Sequence, residues 1–394
     1  MKILVVSAVL PYPLYSGGQV RMYNLLKRLS KKHEITLVSF VRDNKESLYK
    51  KDLSFCHAVY LINRGRAWQV GYIARAVFTR MPFLLATYTN GKMHTLLSKL
   101  LIKNTYDLIH LEPFYVWPSI PNTDIPIVVS EHNVEYEVYN EYVRRMTFPF
   151  IKPLLGLDVE KLKRWERYVW RKVTTLTAVS AHDRFVMEEY LSFPVAFVPN
   201  GVDTSWFTYK RKKNAQDKNF LFVGNFRWLP NREAAEWLLT DIWPKIAIQF
   251  PSSMLTIVGQ NMPESMKKRS TDRVLCLSDV SDIRQEYAKA FALVAPMTIA
   301  GGSKFKVLEA MACGTPVIST TEGIEGISGE DGKEILVAKN AQAFVDQLIR
   351  LNADSSLYEK LTKNARALVE HAYNWDTIAI SLEKVWKGAH AYKR

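Results

Sequence analysis

The segment most informative about the architecture spans residues 300–317 and reads AGGSKFKVLEAMACGTPV. A short apolar run at residues 291–295 precedes it, and an amphipathic helical pattern begins near residue 304. A buried strand, a glycine-rich turn and a helix in this order form a βα unit of a parallel sheet. Glycines let backbone N–H groups approach a ligand, and the start of a helix attracts an anion. The segment therefore predicts a βα unit that binds phosphate.

Three charged side chains make this segment a candidate binding site. Lys304 and Lys306 lie at the start of the helix, where the macrodipole disfavours a cation unless an anion binds. Lys306 and Glu309 share a helix face. A carboxylate one turn beyond a phosphate is placed to accept hydrogen bonds from a ribose diol. The alternative is a capped helix with a Lys306–Glu309 surface pair, and the segment alone leaves both interpretations open.

Short apolar runs alternate with amphipathic helical patterns over the whole chain, which is typical of parallel sheets covered by helices. The alternation is interrupted at the turn-forming residues 199–203 and the polar residues 210–219. We therefore expect an α/β protein of two doubly wound, Rossmann-like domains, residues 1–198 and 199–374, facing a cleft where the ligand binds. Within the first domain, residues 84–103 are expected to form one helix.

Composition excludes several classes of protein. With 394 residues, 48% hydrophobic and 23% charged, the chain has the composition of a globular protein of two domains. Its three cysteines, Cys56, Cys276 and Cys313, are far apart, which argues against a disulfide framework or a structural zinc site. No apolar run approaches the ~18 residues of a membrane span. The patterns of nicotinamide dehydrogenases and P-loop hydrolases are missing. We expect a cytoplasmic protein.

Positive charge is concentrated in the first quarter of the chain. The net charge is +14, and residues 1–103 contain 17 Lys or Arg and 4 Asp or Glu. Such a balance points to a membrane surface, a phosphorylated ligand or nucleic acid. Within residues 64–103, seven cations are interleaved with aromatic and leucine side chains, which suits an interface with anionic lipid on the inner face of the cell membrane. A solvated helix face is the alternative, and nucleic acid is the least favoured partner.

The segment at 300–317 resembles the nucleotide-binding signature of family 4 glycosyltransferases of the GT-B fold. Other landmarks agree in order and spacing: the loop 11–18, Ser130-Glu131-His132-Asn133, Val179-Ser180, residues 198–203 and Phe222-Val223-Gly224. The helix starting near Trp375 is similar to the one that crosses back to the first domain in this fold. The resemblance therefore implies that residues 375–394 belong with residues 1–198.

The resemblance implies a hexosyltransferase-like enzyme that moves a sugar from a nucleotide-sugar donor, with retention and without a metal or other cofactor. The acceptor is expected to be a glycan or lipid-linked, in cell-surface polysaccharide or glycolipid biosynthesis. Glu309 would bind ribose, and His132 would line the cleft near the transferred sugar. The candidate catalytic residues are His132, Arg227 and Lys304. The candidate donor-binding residues are Gly17, Gly18, Gly224, Gly301, Gly302, Ser303, Lys306 and Glu309.

Two departures from the family pattern leave the donor sugar open. Gly301 stands where many members have a glutamate that contacts the sugar, and Asn225 stands where many have an arginine. We expect Arg227 with Lys304 or Lys306 to neutralise the diphosphate instead. A binding protein that has lost transfer and a nucleotide-sugar epimerase remain alternatives. The acidic run Glu131, Glu135, Glu137 and Glu141 is interpreted as a solvated helix face rather than a metal site.

Overall fold

The first βα repeat of the computed structural model consists of β1 (Lys2–Ser7), α1 (Gly17–Leu29) and β2 (Glu34–Val41). Residues 3–6 of β1 are fully buried because both faces of the strand pack against helices. The side chain of Ser16 caps α1 by accepting a hydrogen bond from the Gln19 N–H. The structure describes residues 1–66, 68–146, 148–210, 218–299 and 304–392.

The chain divides into two units. Unit 1 comprises Met1–Pro199 with Ile378–Arg394, and unit 2 comprises Asn200–Thr377. In unit 1 the further strands are β3 (Ala58–Asn63), β4 (Leu108–Glu112), β5 (Ile127–Ser130), β6 (Thr175–Ala178) and β7 (Ala196–Phe197). Its further helices are α2 (Val70–Phe78), α3 (Phe83–Ala86), α4 (Gly91–Lys103), α5 (Glu135–Arg145), α6 (Lys152–Lys172) and α7 (Ala181–Glu188). Short 3₁₀ segments span Glu46–Leu53 and Phe114–Ser119.

Among the described residues, the sheet of unit 1 has the parallel strand order β3-β2-β1-β4-β5-β6-β7. The order reverses between β1 and β4, and ligands of open α/β sheets bind beside such a switch point. The single helix expected at residues 84–103 is wrong, because α3 and α4 are separate. The side chain of Asn90 accepts hydrogen bonds from the N–H groups of Lys92 and Met93 and so starts a new helix.

Unit 2 contains a second parallel sheet. Its strands are β8 (Asn219–Val223), β9 (Met254–Gly259), β10 (Val274–Ser278), β11 (Ala292–Ala295), β12 (Val317–Ser319) and β13 (Leu336–Val337). Over the described residues their order is β10-β9-β8-β11-β12-β13. The helices are α8 (Leu229–Trp237), α9 (Trp243–Gln249), α10 (Glu264–Lys267), α11 (Ile283–Lys289), α12 (Phe305–Cys313), α13 (Thr321–Ile324), α14 (Ala341–Ala353) and α15 (Ser355–Ala372). A π-helical turn, Leu238–Ile242, joins α8 to α9. The two parallel sheets with their helices confirm the predicted α/β class.

The last helix, α16 (Trp375–Ala391), belongs to unit 1 from Ile378 onward. Ile378, Leu382 and Trp386 are buried on one stripe of this helix, and Glu383 forms a salt bridge with Lys32 of unit 1. In the ranges that the structure describes, no helix is long and apolar enough to cross a bilayer.

Candidate functional site

Lys306 lies in the first turn of α12, and its ammonium group turns into unit 2. Its Nζ donates a hydrogen bond to Asn231 Oδ1 at 2.7 Å and lies 4.5 Å from the centre of the Phe222 ring. Burial, with a further contribution from the neighbouring Lys304, lowers the pKa of Lys306 to about 7, although Glu309 opposes the shift. A cation in the first turn is also opposed by the helix dipole. The site is therefore short of negative charge.

Glu309, one turn further along α12, is held by a tyrosine. Tyr287 of α11 is fully buried and donates its hydroxyl to Glu309 Oε2 at 2.8 Å. Burial raises the pKa of Glu309 to about 6, while this hydrogen bond and Lys306 act in the opposite direction. At neutral pH the carboxylate is thus mostly ionised and has Oε1 available as a further acceptor. Lys306 and Glu309 interact through their charges, since each shifts the pKa of the other. They do not form the surface ion pair of the alternative interpretation.

Gly224 follows β8 and lies against Asn231, a residue that the sequence reasoning missed. A side chain at Gly224 would put its Cβ 3.0 Å from the Asn231 amide carbon. Asn231 itself donates Nδ2 to the Asn225 carbonyl at 2.9 Å while its Oδ1 holds Lys306. The structure therefore brings together the predicted residues Gly224, Lys306 and Glu309. The segment Gly224-Asn225, directly after the apolar run 220–223, indicated a loop at this position but gave no indication of the asparagine on α8.

The two other predicted cations have different surroundings. Lys304 Nζ donates to the Glu322 carbonyl at 2.8 Å, so that the ammonium ties the start of α12 to α13. Arg227 is exposed in the loop after β8, where its backbone N–H donates to Asn225 Oδ1 at 3.0 Å. Their predicted catalytic roles remain predictions. Gly301, Gly302 and Ser303 lie outside the described residues.

In unit 1, the predicted residue His132 is part of a buried chain of hydrogen bonds. His132 Nε2 lies 2.6 Å from Glu112 Oε2, and Glu112 Oε1 lies 2.8 Å from His110 Nε2. The indole N–H of Trp386 on α16 donates to His110 Nδ1 at 3.1 Å. Because Nδ1 of His110 accepts, its Nε2 carries the hydrogen and donates to Glu112. Burial opposes ionisation of Glu112, but the two histidine hydrogen bonds outweigh it and lower its pKa.

Glu112 and His110 were missed by the sequence reasoning, although a signal was present. They alternate on the buried strand β4, Leu108-Ile109-His110-Leu111-Glu112, and so point to the same side of the sheet. Polar side chains at alternate positions of an apolar strand need partners. Here the partners come from the end of β5 and from α16, and neither is near in sequence.

Gly17 and Gly18 form the start of α1, next to His132. A Cβ on Gly18 would lie 2.9 Å from His132 Nδ1. Since Nε2 is bound to Glu112, the Nδ1 atom is the one directed toward α1. The first N–H groups of a helix have no acceptor within the helix. The structure thus brings the predicted residues Gly18 and His132 together in unit 1, at the switch point of the sheet.

The interpretation of the acidic run as a solvated helix face is wrong for Glu131 and Glu135. Both are buried: Glu131 accepts from the Trp170 indole N–H at 3.0 Å, and Glu135 accepts from the Tyr115 hydroxyl. Glu166 of α6, also buried, accepts from the N–H of Glu135 at 2.8 Å and so caps α5. Burial raises the pKa of Glu131 well above its ordinary value. Glu137 and Glu141 are partly exposed and pair with His182 and Arg145.

The basic and aromatic stretch at residues 64–103 is divided by the fold. Arg64 is buried over the Tyr88 ring at 4.3 Å, and Leu85 is fully buried in the core. Trp68 and Phe78, in contrast, are 79% and 85% exposed. The residues available to a surface ligand therefore lie around α2 and on α4, where Lys92, Lys99 and Lys103 are exposed, whereas the buried part of the stretch is not available.

Two family models match the chain. The Glycosyltransferase Family 4 model matches residues 15–206, and the model described as Glycosyl transferases group 1 matches residues 217–354. The chain is also similar to an uncharacterised 44.6 kDa protein in the cps region of Klebsiella pneumoniae, with 23% identity over 97% of this chain and 99% of that protein.

A second relative has a named activity. The GDP-mannose-dependent monoacylated alpha-(1-6)-phosphatidylinositol monomannoside mannosyltransferase of Corynebacterium glutamicum is 25% identical over 59% of this chain and 63% of that protein. Among solved structures, sucrose-phosphate synthase from Thermosynechococcus elongatus superposes with a TM-score of 0.74 at 19% identity, covering 99% of this chain and 100% of that one. The fold and the two matched regions together place this chain among the glycosyltransferases of the GT-B fold.

Proposed function

We propose that the protein is a retaining, metal-independent glycosyltransferase that moves a sugar from a nucleotide-sugar donor to a glycan or lipid-linked acceptor. Its setting would be cell-surface polysaccharide or glycolipid biosynthesis at the inner face of the cell membrane. The GDP-mannose dependence and the phosphatidylinositol-based acceptor in the name of the Corynebacterium relative support a nucleotide donor and a lipid-linked acceptor.

The observation that carries the proposal is the half-buried ammonium of Lys306 at the start of α12. Burial and the neighbouring Lys304 lower the pKa of this ammonium to about 7, and Glu309 only partly offsets them. A diphosphate supplies further negative charge, and the helix N-terminus attracts it as well. Glu309, already fixed by the Tyr287 hydroxyl, then accepts hydrogen bonds from the ribose diol.

Charge development in the reaction favours the same groups. When the bond between the sugar and the diphosphate breaks, negative charge grows on the leaving phosphate oxygen, and cations fixed beforehand stabilise that transition state. Lys306 is fixed by Asn231, whereas the exposed side chain of Arg227 makes no hydrogen bond or ion pair within the described ranges. We propose same-face attack, in which the departing phosphate oxygen takes the proton of the acceptor hydroxyl and the anomeric configuration is retained.

His132 is proposed to orient the transferred sugar. Glu112 fixes the ring through Nε2, so that Nδ1 accepts a hydrogen bond from a sugar hydroxyl when the ring is neutral. His110 and Trp386 hold Glu112 in turn. Such supporting hydrogen bonds fix the position of a functional side chain more tightly than packing alone.

The test is to incubate the purified protein with UDP- and GDP-sugars, with and without EDTA, alone and with candidate acceptors. Transfer that survives EDTA, with a product whose anomeric configuration by NMR equals that of the donor, is the expected result. The Lys306→Met variant should lose transfer, whereas Lys245→Met, at an exposed lysine of α9, should retain it.

The other outcomes separate the alternatives. Tight donor binding without hydrolysis or transfer to any acceptor would identify a binding protein that has lost transfer. Interconversion of donors with no acceptor present would identify an epimerase. An inverted product, or activity abolished by EDTA and restored by a divalent cation, would refute retention or metal independence respectively.

Peripheral membrane attachment is a separate part of the proposal. It is supported by the excess of cations in residues 1–103 and by the exposed Trp68 and Phe78 around α2. Flotation with anionic and neutral liposomes at low and high salt tests it. Binding only to anionic liposomes, weakened by salt, is expected. Equal failure to bind both kinds of liposome would refute attachment.

A further inference from the structure

Helices α2, α5 and α6 of unit 1, with Trp68 and Phe83, enclose a cavity of about 1180 Å³. Its wall is made largely of apolar and aromatic side chains. They include Ile73 and Val77 of α2, Tyr142 and Val143 of α5, and Leu154 and Leu157 of α6. A volume of this size is comparable to the larger ligand sites of proteins. None of the residues proposed for sugar transfer lies in this wall.

The cavity opens within an unusually apolar surface. Val70 and Phe78 on α2 and Phe148 and Phe150 before α6 are large apolar side chains that remain exposed, Phe150 to 95%. Single exposed apolar residues are common, but several of them on two elements that also contribute to a cavity wall favour a binding surface. The cavity and the surrounding patch together are called the α2–α6 surface below.

The cavity wall carries a small excess of positive charge, with Arg80, Lys161 and Arg164 against Asp158 and Glu160. Helix α6 carries seven Lys or Arg and three Asp or Glu, and residues 68–80 add two arginines and no acid. Of the acids on α6, Glu166 is buried, Asp158 is engaged by the Phe83 N–H at 3.0 Å, and Glu160 pairs with Arg164 at 3.1 Å. Arg80, in the cavity wall, makes no side-chain hydrogen bond or ion pair with any residue that the structure describes.

Lys161 closes the cavity on one side. Its Nζ donates to the carbonyls of Ala76 and Thr79 at 2.7 and 2.9 Å and so fastens the end of α2 to α6. These two hydrogen bonds fix the position of α2 relative to α6 and so fix this side of the cavity wall. A preformed apolar cavity with cations at its edge matches an amphiphile that has a hydrocarbon chain and an anionic group.

We propose that the α2–α6 surface binds the hydrocarbon chain of an anionic, lipid-linked acceptor, with the acidic group of that lipid at Arg80. Helix α5 links the cavity to the sugar-transfer residues, because it begins three residues after His132 and its second half lines the cavity. The identification of the ligand as acceptor rests on the proposed function, whereas binding of the amphiphile does not.

The experiment measures binding of dodecyl phosphate below its micelle concentration by titration calorimetry. Dodecyl maltoside tests the chain without the charge, and glycerol 3-phosphate tests the charge without the chain. We expect dodecyl phosphate to bind at least about tenfold more tightly than either, since burial of the chain and pairing of the charge contribute together.

Matched variants locate the binding. Leu157→Glu places a carboxylate in the cavity wall and should weaken the binding of dodecyl phosphate at least about tenfold. Ile248→Glu, at an exposed isoleucine of α9 in unit 2, should leave the affinity for dodecyl phosphate unchanged. Val77→Trp fills the cavity without adding charge and should also weaken binding, which covers the case in which Leu157→Glu does not fold.

The proposal is overturned by any of three results. These are no binding of dodecyl phosphate, equal binding of the uncharged detergent, and equal affinities of the folded cavity variants and wild type. A dimer of the wild type that Leu157→Glu converts to a monomer, without amphiphile binding, would assign the surface to a second copy of the chain and also overturn it. None of these measurements uses sugar transfer, so inactivity with every donor leaves the binding result intact.

Discussion

Nucleotide affinity should fall with rising pH because Lys306 must be protonated to bind a diphosphate. Its pKa of about 7 makes about half of the empty sites charged at pH 7 and only about 3% at pH 8.5. If the bound diphosphate keeps the proton on Lys306 throughout, the dissociation constant rises about sixteen-fold over this interval, which corresponds to about 1.6 kcal/mol. An ordinary exposed lysine at this position would leave the dissociation constant unchanged over this interval, since its pKa lies near 10.4.

The assay is calorimetric titration with UDP and GDP at pH 7.0, 7.5, 8.0 and 8.5, in two buffers that differ in ionisation enthalpy. The terminal phosphate of the nucleotide is already doubly charged in this range and does not contribute the effect. Comparison of the buffers should show close to one proton taken up per nucleotide at pH 8.5. Lys306→Arg, which stays charged at every pH used, should flatten the dependence, and Lys306→Met should bind weakly at every pH.

The stability of the protein without nucleotide gives an independent check, because it should change with pH in the opposite direction to nucleotide affinity. Because the folded pKa of Lys306 is below its unfolded value, the unfolded chain holds more protons between pH 7 and about 10.5. The contribution of Lys306 to stability therefore increases as pH rises through this window, while nucleotide affinity decreases. A pH-independent nucleotide affinity in the wild type, or the same slope in wild type and Lys306→Arg, would refute the reasoning.

Three further predictions concern single residues. Glu309→Ala should weaken nucleotide binding by about 1–3 kcal/mol in titration calorimetry, because hydrogen bonds to a charged acceptor are lost, and Glu309→Gln, which still accepts from Tyr287, should weaken it less. Glu112→Gln should lower kcat at least about tenfold with a smaller change in nucleotide affinity, because one histidine loses its carboxylate acceptor. Gly18→Ala should lower kcat without lowering Tm by more than a few degrees, because its Cβ would displace the exposed side of His132.

Each of these has a result that contradicts it. Unchanged nucleotide affinity in folded Glu309→Ala would remove Glu309 from the donor site. Wild-type kcat in Glu112→Gln would show that His132 needs no orientation by the carboxylate. For Gly18→Ala, wild-type kcat would show that the His132 ring moves freely, and a collapse of Tm would show a structural rather than a functional role.

The α/β class was predictable because each buried parallel strand is a short apolar run bounded by polar residues. The strand predicted at residues 254–259 is β9 as observed, for example. Helix boundaries inside continuous apolar patterns were harder to predict. The α3–α4 break depends on the side-chain cap of Asn90, and an asparagine in an otherwise helical pattern has many alternative interpretations.

The candidate site was predictable only where its residues lie together in sequence. Lys306 and Glu309 are three residues apart, so one helix face brings them together. Asn231 is 75 residues from Lys306, and Glu112 is 20 residues from His132. Only the sheet topology brings such residues together. Burial of Glu131 was also unpredictable from charge patterning, because the donor to its Oε1 is the indole of Trp170, 39 residues later on α6.

The position of Trp386 has a consequence for how the protein is made. Unit 1 is assembled from residues at both ends of the sequence, and the indole that supports His110 belongs to α16. Unit 1 is completed only when α16 is synthesised, after all of unit 2. A chain released before α16 would lack the support of His110. The hydrogen bonds that connect Trp386 through His110 and Glu112 to His132 therefore form only when synthesis has passed unit 2 and continued through Trp386.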